Sequence, residues 1–256
     1  MKILLTFIFV QTFFLLPSLA QEQQSRLLKF KSSSQQDYYS KSDFNQKGVK
    51  LFFQGNKEEG IRNLELAHEN NPSSSEVLYN MSGYFLAEKK YGKALKNINK
   101  ALEMSPKDNL YLNRKAKLLI NLEKYDQAIV VYQNMLKNDP NDGQCYSKLG
   151  AVYALLNKWE KAESNLLKAK NILGDKPPVL NNLANAYLMQ KKYKEAIRVL
   201  NVAQIKQPNA EREITLGVAY EGLGSKQNAL EHYYKAKHMG YKRKLLDKHI
   251  TRVINK

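Results

Sequence analysis

A single cysteine, Cys145, and a single tryptophan, Trp159, stand in a 256-residue sequence that holds only 12 glycines and seven prolines. One cysteine excludes an intramolecular disulfide, so stability must come from packing. A packed or half-exposed thiol is the expected state of Cys145. Scarce glycine and proline beside plentiful Leu, Ala, Lys, Asn and Tyr favour helix over a β-sandwich. Chemistry is thinly represented as well. The four histidines, His68, His232, His238 and His249, have no metal-ligand spacing with one another or with Cys145. The pair Gly222-Leu223-Gly224 is no phosphate-cradling loop, and the serines lack a paired base. The expectation is a non-enzymatic protein with no metal and no cofactor. Acids are the other shortage, 24 against 41 Lys and Arg, for a net charge of +17 and a pI near 9.6. Such an excess attracts nucleic acid, anionic lipid or acidic protein without choosing among them.

The N-terminus narrows that choice. Lys2 precedes the apolar run Ile3–Leu16; Pro17 and then the small residues Ser18 and Ala20 follow. This reads as a signal peptide over residues 1–20, with Gln21 opening the mature chain. The alternative is an uncleaved anchor, since the 18 residues from Ile3 to Ala20 lie near the lower limit for spanning a bilayer about 30 Å thick. Export makes nucleic acid an improbable partner and favours envelope proteins, surface polymers or anionic lipid, in the periplasm or outside the cell. Residues 21–40 are polar, with a low-complexity Ser32–Gln36 segment, and read as a linker.

From residue 41 onward the chain repeats. Pro72, Pro106 and Pro140 are 34 residues apart, and Pro208 lies twice that interval further on. Small residues recur at Gly48, Ser82, Ala116, Gly150, Ala184 and Gly217, each followed three positions later by Leu51, Phe85, Leu119, Tyr153, Tyr187 or Tyr220. A second small series runs through Gly60, Ala94, Ala128, Ala162, Ala196 and Ala229. Tyr91, Tyr125, Trp159 and Tyr193 form an aromatic series, so Trp159 reads as a packing residue. Helix axes about 8–10 Å apart demand Gly or Ala at the closest approach, with large residues one turn away filling the groove. The sequence resembles the tetratricopeptide repeat family, whose unit is a 34-residue helix-turn-helix. The resemblance implies an all-α fold: a right-handed α-solenoid of about six repeats (41–74, 75–108, 109–142, 143–176, 177–209 and 210–243), with Lys244–Lys256 as a capping helix. Three units depart from the pattern. Lys57 stands where the aromatic should open the second helix of unit 1, Gly174 stands where proline would sit in unit 4 and Pro177-Pro178 follow in phase, and unit 6 arrives one residue early after Pro208.

The resemblance also implies a binding face. The first helix of each repeat lines a concave groove and presents its second, fifth, sixth, ninth, twelfth and thirteenth residues to the ligand. Those positions select Tyr79 and Asn80; Asn113, Arg114, Lys117 and Asn121; Gln144 and Lys148; and Asn181, Asn182 and Asn185. No carboxylate occurs at these positions in units 3–5. Amides can bond an extended backbone, and Arg or Lys can hold a carboxylate. A plainer reading has the asparagines support the fold. The two-carboxylate clamp of chaperone-binding members does not fit: Asn80 and Arg114 match, while Val49 and Leu110 stand where the clamp needs polar residues. The expected function is therefore an adaptor of the cell envelope, binding an extended peptide that is acidic or ends in a free carboxylate. The alternative is a basic peripheral protein on anionic lipid or surface polymer, acting through the cations at 235, 237, 242, 243, 244, 248, 252 and 256.

Overall fold

The computed structural model describes residues 43–241 and 244–255. The expected signal peptide and polar linker lie outside the described residues, as do Lys242, Arg243 and Lys256 of the basic C-terminal set. Among the described residues there is no strand and no helix long and apolar enough to cross a membrane. The chain runs α1 (Phe44–Phe53), α2 (Lys57–Asn70), α3 (Ser75–Ala87), α4 (Tyr91–Met104), α5 (Asn109–Asn121), α6 (Tyr125–Asn138) and α7 (Gly143–Leu155). It continues through α8 (Trp159–Leu173), α9 (Pro177–Met189), α10 (Tyr193–Lys206), α11 (Ala210–Gly222), α12 (Lys226–His238) and α13 (Lys244–Ile254). Each odd-numbered helix from α1 to α11 packs on the even one that follows, and each pair packs on the next. The result is an all-α solenoid of six helix pairs closed by α13.

Local chemistry explains where these helices begin. The Ser74 hydroxyl accepts from the Val77 N–H, Asp108 from Leu110 and Tyr111, Asp142 from Cys145, and Asn209 from Glu211 and Arg212. Each bond satisfies a donor left open in the first turn. The start of α9 has no such side chain; Pro177 occupies its first position, where a missing N–H costs nothing. The turn inside every pair also repeats. Gly55, Lys89, Glu123, Asn157, Lys191 and Gly224 all have positive φ. The next residue donates its N–H back to the carbonyl of Leu51, Phe85, Leu119, Tyr153, Tyr187 or Tyr220, at 2.8–2.9 Å. A left-handed residue with a six-to-one bond is the usual way to satisfy the end of a helix. Four of these six residues carry side chains, at a cost of about 1–2 kcal/mol each in that conformation.

The two small series meet inside each pair, and every member is buried. A methyl at Gly150 would stand 2.7 Å from Leu166 Cγ and 3.1 Å from the Ala162 carbonyl oxygen, so α7 and α8 touch backbone to side chain there. Burial of Leu78, Ile98, Leu118, Leu166, Leu183 and Leu200 runs continuously from pair to pair, with no member more than 1% exposed. The solenoid core is thus shared, and no pair could bury its apolar face alone.

The last unit is closed by polar bonds. Where the repeat is one residue short, the buried Arg212 donates to Asn181 Oδ1 (2.8 Å), to Gln204 Oε1 (3.1 Å) and to the carbonyls of Ala203 (3.1 Å) and Gln207. These bonds cap the end of α10 and tie it to α9 and α11. Beyond α12, Leu246, His249, Ile250 and Val253 of α13 are buried against Ile214, Tyr233 and Ala236. The Arg252 guanidinium grips Glu221 with bonds of 2.8 and 2.6 Å, and the Tyr233 hydroxyl donates to the same carboxylate at 3.1 Å. Burial pushes the Tyr233 hydroxyl far above its ordinary range, with Glu221 adding to the effect, so it stays protonated and donates.

Candidate peptide groove

The first helices of successive pairs approach one another, α1 to α3 and α7 to α9, and exchange side-chain bonds across the repeat boundary. Asn80 Nδ2 donates to Asn45 Oδ1 at 2.9 Å, Lys148 Nζ to Asn113 Oδ1 at 2.6 Å, and Arg212 Nε to Asn181 Oδ1. In a curved stack the helices that come closest line the inner face. The face built from α3, α5, α7 and α9 is therefore the candidate groove.

The predicted residues divide once placed there. Tyr79 is only 7% exposed, so it does not offer its ring to a ligand as expected. It stacks on Tyr111 with centroids 5.2 Å apart and carries the Arg114 guanidinium 4.1 Å above its ring. The Tyr111 hydroxyl in turn donates to Ser75 Oγ at 3.2 Å. Asn113 spends both ends of its amide, donating to the Asn109 carbonyl at 2.7 Å and accepting from Lys148. Asn121 donates to the Lys117 carbonyl at 2.9 Å, and Asn181 accepts from Arg212. For these asparagines the supporting role is the one realised. Asn182 and Asn185 are half-buried and have no hydrogen-bond partner among the described residues, while Gln144 is exposed. Their amides are unspent within the described residues.

Arg114 differs from all of these. Its Nη1 is buried and has no hydrogen-bond partner among the described residues. Gly83 of α3 makes the space: a methyl there would stand 2.6 Å from that nitrogen. Gly83 adjoins the repeat's own small residue, Ser82, and the repeat pattern does not call for it. Sequence reading passed over it, although an extra mid-helix glycine costs about 1 kcal/mol against alanine and so marks a close approach. Lys117 lies within electrostatic reach of both Arg114 and Lys148. Burial is the first cause that holds both ammonium groups below their ordinary range. For Lys117 the charges of Arg114 and Lys148 come next. Lys117 is nevertheless exposed and Lys148 half-buried, so the effect of burial is the weaker one at Lys117. Asp142 acts the other way on Lys148, but its Oδ1 already accepts from the Cys145 N–H at 2.8 Å as a helix cap. Cys145 itself is buried, with its thiol pushed up to about 12 mainly by burial. Its Sγ donates to the Tyr132 carbonyl at 3.4 Å, so it is a packed thiol without nucleophilic character.

The basic C-terminal surface is weaker than its composition implies. Arg252 is engaged inward with Glu221, Lys237 pairs with Asp247 at 3.2 Å, and Lys235 pairs with Glu231 at 2.7 Å. Among the described residues of that set, Lys244 and Lys248 alone have no ion-pair partner. No group of three metal-ligating side chains is assembled among the described residues.

Comparison with known proteins places the fold. A tetratricopeptide repeat family model matches residues 179–200, on α9 and α10. The structure of PilW, a widely conserved type IV pilus biogenesis factor, superposes with a TM-score of 0.70 at 16% identity, over 85% of this chain and all of that one. The chain has the fold of a tetratricopeptide repeat protein. PilF of Pseudomonas aeruginosa gives a TM-score of 0.68 at 19% identity over 83% of this chain and 96% of its own. YrrB, a tetratricopeptide repeat protein with an unusual peptide-binding site, gives 0.60 at 19% identity over 74% of this chain and 97% of its own. The model for Chs5p-Arf1p-binding proteins matches residues 49–169, within the tetratricopeptide array. The sequence matches no functionally curated protein.

Proposed function

We propose that this protein is a non-enzymatic adaptor that holds an extended segment of another protein along α3, α5, α7 and α9. The observation that carries this reading is the inner face itself. Gln144, Asn182 and Asn185 present unspent amides beside Lys117, Lys148 and Arg114, and no acid interrupts the face from α5 to α9. An extended backbone needs partners for N–H and C=O alike, and carboxamides supply both. The pilus-biogenesis role of PilW and the peptide site of YrrB are consistent with such a use. The apolar N-terminal run supports a site of action in the cell envelope, where an acidic partner would suit a chain of net charge +17.

Site-specific photocrosslinking in cells tests the reading. A benzophenone side chain at Asn182 or Gln144, on the inner face, should give a discrete adduct that Arg114→Glu with Lys148→Glu removes while circular dichroism stays unchanged. The same probe at Asn134 or Ser164, on the exposed sides of α6 and α8, should give none. Adducts from α6 and α8 alone, or adducts indifferent to the double substitution, would overturn it.

A further inference from the structure

The outer side of the second repeat carries a charge pattern that the groove does not use. On α4, Lys93, Lys96 and Lys100 are exposed at spacings of three and four, so they share one face with Met104. Lys89 and Lys90 lead into the helix and Lys107 follows it, all exposed. None of these six lysines has an ion-pair partner among the described residues. Lys93 also lies 5.7 Å over the Phe85 ring, a weak contact for an exposed cation. The acids at either end are occupied: Glu88 accepts from Lys57 at 2.9 Å, and Asp108 caps α5. Glu103 is the only acid within α4. Like charges three and four apart on one helix repel, so the stripe weakens its own helix unless an anion lies against it. A uniformly lysine-rich surface does not account for it, since α2, one repeat earlier, exposes Glu58, Glu59, Glu65 and Glu69.

We propose that this face of α4 docks the protein on an anionic phospholipid bilayer and leaves the inner face open. Three features select a bilayer over a discrete acidic ligand. All six cations are lysines, compact hydrated charges that suit a diffuse negative surface, and the stripe has no arginine fork to grip a single phosphate or carboxylate. The face is an outer ridge and not a pocket: α4 has 14 residues, about 21 Å at 1.5 Å per residue, and can lie along a flat surface. Apolar side chains also stand beside the cations. Met104, 43% exposed, ends the stripe, and Leu110, 55% exposed, follows Lys107. Such side chains enter the headgroup region while lysine stems extend their charges to the phosphates. The same surface repels the acids of α2, which gives the docked protein one orientation. Docking does not depend on the groove, and either can fail without the other.

The test uses the full chain and vesicles of two compositions, phosphatidylcholine alone and an equal mixture with phosphatidylglycerol. The apolar N-terminal run meets both alike, so the difference between them reports charge. Sedimentation should show tighter binding to the anionic vesicles, and the difference should vanish at 1 M salt, where the screening length falls to about 3 Å. Each lysine near such a surface strengthens binding about fivefold, so Lys93→Gln with Lys96→Gln and Lys100→Gln should weaken it about a hundredfold. Lys176→Gln with Lys194→Gln and Lys206→Gln removes as many exposed charges elsewhere and should leave binding nearly unchanged. Circular dichroism checks that both variants fold. A polarity-sensitive dye at Met104→Cys should shift to the blue on anionic vesicles, and the same dye at Ser164→Cys on α8 should not. Cys145 is buried, so labelling falls on the new thiol. Equal affinity for the two kinds of vesicle, equal losses in the two triple variants, or equal dye shifts at the two positions would each overturn the proposal. So would binding of soluble polyglutamate or polyphosphate without a preference for anionic vesicles, which would assign the stripe to a dissolved polyanion.

Discussion

Replacing Gly150 by alanine tests the architecture on which the groove depends. The new methyl would meet Leu166 Cγ at 2.7 Å, Leu166 Cδ2 at 3.2 Å and the Ala162 carbonyl oxygen at 3.1 Å. Carbon atoms in good contact sit about 3.5–4.0 Å apart, so α7 and α8 must separate by several tenths of an ångström or Leu166 must leave its rotamer. Leu166 is 0% exposed and surrounded by core, which blocks the second escape. Overpacking of this kind costs about 1–3 kcal/mol. Alanine regains about 1 kcal/mol over glycine in a helix, which leaves a net loss of up to about 2 kcal/mol. For an array of this length that is a fall in Tm of up to about 8 °C. Gly92→Ala is the internal control: no atom lies within 4 Å of its would-be methyl, so propensity acts alone and stability should hold or rise. Thermal melts by circular dichroism give the comparison, and hydrogen exchange should place the loosening in α7 and α8. If Gly150→Ala proves as stable as Gly92→Ala, the close approach assigned to this crossing is absent and the reasoning fails.

The turns inside the pairs offer a gain. Lys89→Gly and Lys191→Gly should each raise stability by a few tenths to about 1 kcal/mol, since relief of the left-handed conformation outweighs the added freedom of the unfolded chain. Asn157→Gly should gain least because asparagine tolerates that conformation, and urea denaturation would expose any reversal of the order. Cys145 should resist iodoacetamide at pH 8 in the folded protein and react once unfolded, as followed by mass spectrometry; prompt labelling of the native chain would contradict its burial and raised pKa. At the C-terminal cap, burial and then Arg252 lower the pKa of His249 from its ordinary 6.5, against an opposing pull from Glu221. The unfolded chain therefore binds a proton that the folded cap does not, and stability falls as pH drops below about 6.5 towards the lowered value. Amide exchange in α13 should accelerate at pH 5.5 relative to 7.5 before the other helices respond. Glu221→Gln should loosen α13 already at neutral pH by about 1–2 kcal/mol, because the half-exposed Arg252 can regain water once its partner is lost.

The solenoid was legible in residue spacing because the close crossings inside each pair admit only small side chains. Gly48, Ser82, Ala116, Gly150, Ala184 and Gly217 therefore display the period directly. Trp159 read correctly as one of the aromatics that open second helices, since it begins α8 as Tyr91, Tyr125 and Tyr193 begin α4, α6 and α10. The left-handed turn residues were hidden, since lysine, glutamate and asparagine replace the glycine that would have announced four of them.

By itself, then, the sequence determined the class of fold, the period and the face on which polar residues are unusual. Tertiary structure decided what those residues do. Tyr79 was expected in the groove and lies buried beneath Arg114; Asn113 and Asn181 were expected to meet a ligand and instead hold Lys148 and Arg212. Helical periodicity assigns a residue to a face and says nothing of which neighbour its polar atoms reach. Those partners lie 31 to 35 residues away on the next repeat, brought into range only when the repeats stack. The unpartnered nitrogen of Arg114 is a product of the same stacking, with Tyr79 below and Gly83 beside it.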